Sequence, residues 1–88
     1  MALIRKKCVP EFFEPTLSGE KKFDLRLNDV DIKEGDVLIQ EEWDPVKQAY
    51  TGRSITRKVT YARVFRIDQL SWPEEDVRKY GLRVVSLE

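Results

Sequence analysis

Lys21, Asp24 and Arg26 form the densest chemical constellation in this chain. A turn lysine, a carboxylate and a guanidinium two residues beyond it can hold a phosphate or a base edge, with Asp24 orienting the cations. The same residues also read as a surface ion pair, worth ~0.2–1 kcal/mol when exposed. The run Tyr50-Thr51-Gly52-Arg53 is the second candidate: Tyr50 offers a stacking plane and Arg53 a planar cation, the combination used for unpaired bases and phosphates. Its structural alternative has Tyr50 closing one end of the fold and Gly52 serving a turn. Asn28, beside Asp29, suits an Asx turn and secondarily the reading of a ligand edge.

Other chemistries are excluded by residue type. The chain has no histidine and a single cysteine, Cys8, so it carries neither a Cys/His zinc set nor a Ser-His or Cys-His nucleophilic pair. It has no P-loop and no dinucleotide fingerprint, and Asp29, Asp31 and Asp36 read as a solvated polar turn. No metal site and no cofactor are expected.

Composition sets the frame. Eighty-eight residues make one domain, 1–88, with one core that buries roughly 60–65% of the unfolded surface. Sixteen basic and sixteen acidic residues cancel, so a nucleic-acid site has to be a local patch. The lone Cys8 fits a reducing cytoplasm, and there is no membrane-length apolar run and no signal-peptide core after Met1. A soluble cytoplasmic protein is expected.

The elements that must position the candidates are mostly strands. Leu3 to Val9 reads as a first strand centred on Arg5-Lys6-Lys7. Pro10 opens a helix, shortened or kinked by Pro15 and ended by Gly19, with Phe12, Phe13 and Leu17 on its buried face. Alternation over Lys22 to Asn28 sends Phe23, Leu25 and Leu27 to the core, leaving Asp24, Arg26 and Asn28 as a charged wall. A strand from Val37 to Trp43, with Val37, Ile39 and Trp43 inward, precedes a hairpin connection over residues 44–53. Ser54 to Phe65 reads as a long strand with Ile55, Val59, Tyr61 and Phe65 as its apolar set and a bulge near Arg57 or Arg63. Ser71 and Glu74 form a capping box for a helix that Gly81 closes, and Leu82 to Leu87 is the closing strand. The remaining cations, Arg5, Lys6, Lys7, Arg57, Lys58 and Arg63, read by default as solvated strand edges.

GEKKFDLRLND followed by IKEGDVL, EEWDP and YTGR resembles the small bacterial and phage branch of the ASCH family, over about Cys8 to Tyr61 and more weakly in GLRVVSLE. The resemblance implies a mostly β (α+β) fold, a small PUA-like barrel of about five strands and two short helices. It also implies an RNA-associated role, through nucleic-acid binding or hydrolysis of acetylated cytidine or RNA. In the hydrolytic relatives the strand after G-x-K carries a threonine nucleophile with the turn lysine as its partner. Lys21 matches that lysine, but Asp24 stands at the threonine position and removes the hydroxyl. In this branch an arginine often follows the Asn-Asp pair; here Val30 does.

The expected function is therefore nucleic-acid binding with RNA favoured. Lys21, Arg26 and Arg53 contact phosphate, Tyr50 stacks on a base, and Asp24 and Asn28 orient the ligand or read it. Two alternatives stay open: a nucleoside- or RNA-processing hydrolase using Lys21 and Asp24, and a protein-interaction module marked by a hydrophobic exposed patch.

Overall fold

The computed structural model describes residues 1–88. β1, Leu3–Cys8, runs parallel to β2, Val37–Asp44, from Leu3 opposite Val37 to Cys8 opposite Glu42. Parallel neighbours need a long crossover, and α1, Pro10–Ser18, lies within it. β3, Ala49–Lys58, returns antiparallel along β2, giving an open mixed sheet in the order β1-β2-β3.

This corrects the barrel expectation: the sheet has three strands and two free edges. The stretches expected to close it, Lys22–Asn28 and Leu82–Leu87, form no strands. In the first of them polar groups bond locally, with Lys21 Nζ donating to the Phe23 carbonyl at 2.9 Å and Arg26 bonding Asp24. Barrel closure requires a continuous ladder between neighbouring strands all the way round.

α1 follows from its sequence at both ends. Pro10 sits in its first turn, and Gly19 terminates it at φ 88°, donating its N–H to the Thr16 carbonyl at 3.2 Å. Pro15 lies inside the helix without ending it. Lacking an N–H, it leaves the Glu11 carbonyl without its helical donor. The expected buried trio reduces to one member, because Phe13 is fully buried with Thr16 while Phe12 and Leu17 are about half exposed. A nine-residue helix on a three-stranded sheet covers only a narrow stripe.

Phe13, Cys8 and Ile55 form the core cluster between α1 and the sheet. Strand alternation places Ile4, Lys6 and Cys8 with Leu38, Gln40 and Glu42 on the helix-covered face. The expectation for β2 holds only in part. Leu38, Gln40 and Glu42 turn toward α1 and are buried; on the other face Ile39 is buried as expected, whereas Val37 and Trp43 are only partly so.

The hairpin is tighter than expected, occupying Pro45–Gln48, with Asp44 Oδ1 accepting from Val46 N at 2.9 Å and Lys47 N at 3.2 Å. Tyr50–Arg53 consequently belongs to β3 rather than to a turn. The register irregularity falls between Glu41 and Trp43, across from Gly52 at φ 95°, and not near Arg57 or Arg63. Glycine adopts that left-handed conformation without strain. β3 ends at Lys58, so Val59–Phe65 is not strand and Tyr61 and Phe65 are exposed.

Beyond β3, a single 3-10 turn, Ile67–Gln69, precedes α2, Glu74–Tyr80. Ser71 does not cap α2; Pro73 holds the N-cap position with no side-chain cap bond. A residue preceding proline is driven out of helical geometry, so Trp72 cannot start the helix. Gly81 does close it, donating its N–H to the Val77 carbonyl at 2.8 Å, and the Glu74–Arg78 pair forms at 3.0 Å.

The turn before β2 is held by Asp36. Its carboxylate accepts the N–H groups of Lys33 and Ala2, both at 2.9 Å, which pins the N-terminus to the turn and lowers the carboxyl pKa.

Candidate functional site

Lys21, Asp24 and Arg26 come together as expected, although the stretch carrying them is irregular. They line a cleft of about 220 Å³ with the end of β1 and the first turn of α1, where Lys7, Cys8, Val9, Phe12 and Leu25 complete its wall. In residues 22–28 the leucines face outward and the Asp24–Arg26 pair faces the cleft, the reverse of the expected alternation. Asp24 and Arg26 side chains are each 23% exposed, whereas Leu25 is 76% and Leu27 81% exposed. Phe23 is partly buried.

The polar side turns inward because it has partners there. Arg26 donates from Nε to Asp24 Oδ2 and from Nη2 to Oδ1 at 2.9 Å, and buried Gln40 donates to Oδ1 at 3.2 Å. The hydrogen bond to Asp24 outweighs desolvation and raises the Arg26 pKa. Two of the guanidinium's five N–H donors are spent on Asp24, which fixes its plane and leaves others for a ligand. Lys21 is positioned by its bond to the Phe23 carbonyl, with its ammonium 4.7 Å from the Phe23 ring centroid and 5.7 Å from that of Phe12.

Cys8 lies in the wall of this cleft and is the only cysteine. Burial pushes its thiol pKa up; Lys21 and Arg26 pull the other way, while Asp24 and Glu42 reinforce the rise. Because the thiolate is the reactive form, alkylation of Cys8 by iodoacetamide at pH 7.5 is expected to run at least ~10-fold slower than that of an exposed cysteine. In urea it should reach the ordinary rate, as mass spectrometry will read.

Arg53 has a different role from the expected one. Its Nε donates to Glu42 Oε1 at 2.9 Å and its Nη2 to Oε2 at 2.8 Å, and Nη2 also meets Glu14. Thr51 Oγ donates to Glu42 Oε1 at 2.7 Å. The guanidinium stands 4.8 Å from the Phe13 ring centroid. Glu42, then Glu14, raise the Arg53 pKa, and Arg53, then Thr51, lower that of Glu42. A cation clamped by two carboxylates braces α1 against β2 and β3; it offers little attraction to phosphate.

Tyr50 is separated from the cleft. It pairs edge-on with Trp43, centroids 4.9 Å apart at 76°, on the sheet face opposite Glu42 and Thr51. Lys7 Nζ lies 3.8 Å from the Trp43 centroid and 6.0 Å from that of Tyr50. Lys7 therefore borders the cleft while its ammonium lies on the aromatic pair, on the opposite face of the sheet. Asn28 is exposed and outside the cleft, and its neighbour Asp29 pairs with Lys6 at 3.8 Å.

Gln40 and Glu42 are the residues that sequence reasoning missed. Their signal was present: two polar side chains at alternate positions of a central strand, in phase with Leu38, require buried partners. The chain gathers no group of three metal-ligating side chains, and no helix is long and apolar enough to cross a membrane.

An open three-stranded βαβ–hairpin sheet with a small cationic cleft defines a class of small α/β domain. Residues 5–70, three quarters of the chain, match the family described as Domain of unknown function (DUF3850), and the chain belongs to that family. No curated protein and no solved structure matches it.

Proposed function

We propose that the protein is a cytoplasmic nucleic-acid-binding module that takes a phosphate of single-stranded RNA in the Lys21–Arg26 cleft. The observation that carries this reading is the convergence of Lys21 and Arg26 on one concavity, with Asp24 as its sole carboxylate and Lys7 on its border. Lys7 lies on the edge strand between the cleft and the Trp43–Tyr50 pair, so a strand with its phosphate in the cleft reaches the aromatic surface by passing around the β1 edge. Arg53 drops out of the contact set. The choice of RNA over DNA rests on the ASCH resemblance of the GEKKFDLRLND run, and cytoplasmic location on the unpaired Cys8.

Binding is favoured over hydrolysis because both Asp24 oxygens already accept hydrogen bonds, from Arg26 and Gln40. A carboxylate so occupied is a poor general base.

Affinity for a single-stranded RNA oligonucleotide, followed by fluorescence anisotropy, is expected to fall with salt at a log–log slope of roughly −2, about −0.7 for each of three phosphate contacts. Lys21→Ala should reduce the magnitude of that slope by about 0.7 and weaken binding uniformly across sequences. Binding that ignores salt, or is indifferent to Lys21→Ala and Lys7→Ala together, overturns the reading.

A further inference from the structure

The chain exposes far more surface than a folded monomer of its mass. Its accessible area is 7394 Å² for 10.4 kDa, where the scaling for monomeric proteins gives ~5,400 Å². Its radius of gyration is 14.8 Å, against ~12 Å for a compact domain of this length. The excess is concentrated after β3. No residue beyond Ile55 is buried, and Tyr61, Phe65, Trp72, Tyr80, Leu82 and Leu87 are all more than half exposed. An apolar surface of this extent marks a contact site.

We propose that a second copy of this chain covers it, the Leu82–Leu87 stretch of each copy adding as a strand to the free edge of β3 in the other. Each partner's excess of ~2,000 Å², hidden in a two-fold arrangement, falls in the range of obligate homodimers, 2,000–5,000 Å² in total. The β3 edge supplies ten residues whose outward N–H and C=O groups have no strand beside them. Leu82–Leu87 lies outside every helix and strand, contains no proline and carries the adjacent β-branched pair Val84-Val85. Charge favours a copy over a nucleic acid as the occupant. Residues 59–88 hold five basic and five acidic side chains, so two copies do not repel there and a polyanion gains nothing at this surface. Reciprocal exchange of one segment also satisfies two-fold symmetry, since both copies use the same two surfaces.

Sedimentation equilibrium of the full chain without nucleic acid tests this. The expected result is a species of twice the 10.4 kDa chain mass at micromolar concentration. Leu82→Asp with Val85→Asp should raise the dimer dissociation constant at least ~100-fold and leave the far-ultraviolet circular dichroism of the dilute protein unchanged, since both residues are exposed in the single chain. Hydrogen exchange on the wild type gives an independent reading, with amides of β3 becoming slower as concentration rises. A monomer at every concentration, a dimer that the double substitution does not weaken, or β3 exchange independent of concentration each overturns the proposal. Self-association that appears only with RNA also overturns it.

Discussion

Alanine at position 13 is expected to cost about 3–5 kcal/mol in a urea titration, while alanine at position 25 costs less than ~0.5 kcal/mol. Phe13 is fully buried, in the core cluster with Cys8 and Ile55 and stacked against the Arg53 guanidinium. Its removal empties the centre of the only helix–sheet contact in the core. A domain of this size has little stability to spare, so Phe13→Ala should be largely unfolded at 37 °C. Leu25 is three-quarters exposed and loses little when shortened. Strand alternation alone predicts the opposite for Leu25, a loss of ~2–5 kcal/mol appropriate to a buried leucine. The pair of measurements therefore decides which face of the 22–28 stretch is inside, and equal large losses would restore the apolar-in register.

The second large effect belongs to Glu42 and Arg53. Arg53→Ala is expected to lower the Tm by roughly 10 °C or more, because it leaves a buried carboxylate with only Thr51 as a partner. Glu42→Gln in the same chain should recover part of that loss by removing the stranded charge, as thermal melts of the single and double variants will show. The acid dependence follows from the same pair. The folded-state pKa of Glu42 is held below the ordinary glutamate value, so its stabilisation is complete above that value and disappears as pH falls through the folded pKa. Asp36 acts in the same direction from a lower starting value. The Tm is therefore expected to be flat from pH 8 to about 5 and to drop below about 4.5. Glu42→Gln should flatten the upper part of that drop. Arg53, whose pKa is raised, contributes stability throughout this window and loses it only in strong alkali. A melt that stays flat to pH 3 would remove Glu42 from the account of stability.

Several pieces were legible because they depend on neighbours in sequence. The first strand, the helix opening at Pro10 and its stop at Gly19, and the Gly81 terminator are governed by backbone geometry and by spacings of four residues or fewer. The Lys21–Asp24–Arg26 grouping belongs with them, since an acid and a base two residues apart can bond whatever the surrounding fold. The candidate site was half read for the same reason. Its local triplet converges, whereas Arg53 and Tyr50, a strand away, do not join it.

Alternation along a strand sorts side chains into two sets but does not say which set the rest of the chain will cover. In β2 and in residues 22–28 that choice went to the set containing polar groups, because Gln40 meets Asp24, Glu42 meets Arg53 and Thr51, and Arg57 reaches the Thr16 carbonyl. Those partners lie between 9 and 41 residues away in the chain. Burying a charge is costly unless it is paired, and pairing over such distances exists only once α1 has crossed β2 and β3 has folded back. Local backbone geometry and the triplet of charges are thus properties of the sequence by itself. Which face is inside, whether Arg53 meets a ligand or a carboxylate, and where the sheet stops are set by contacts that only the tertiary structure creates.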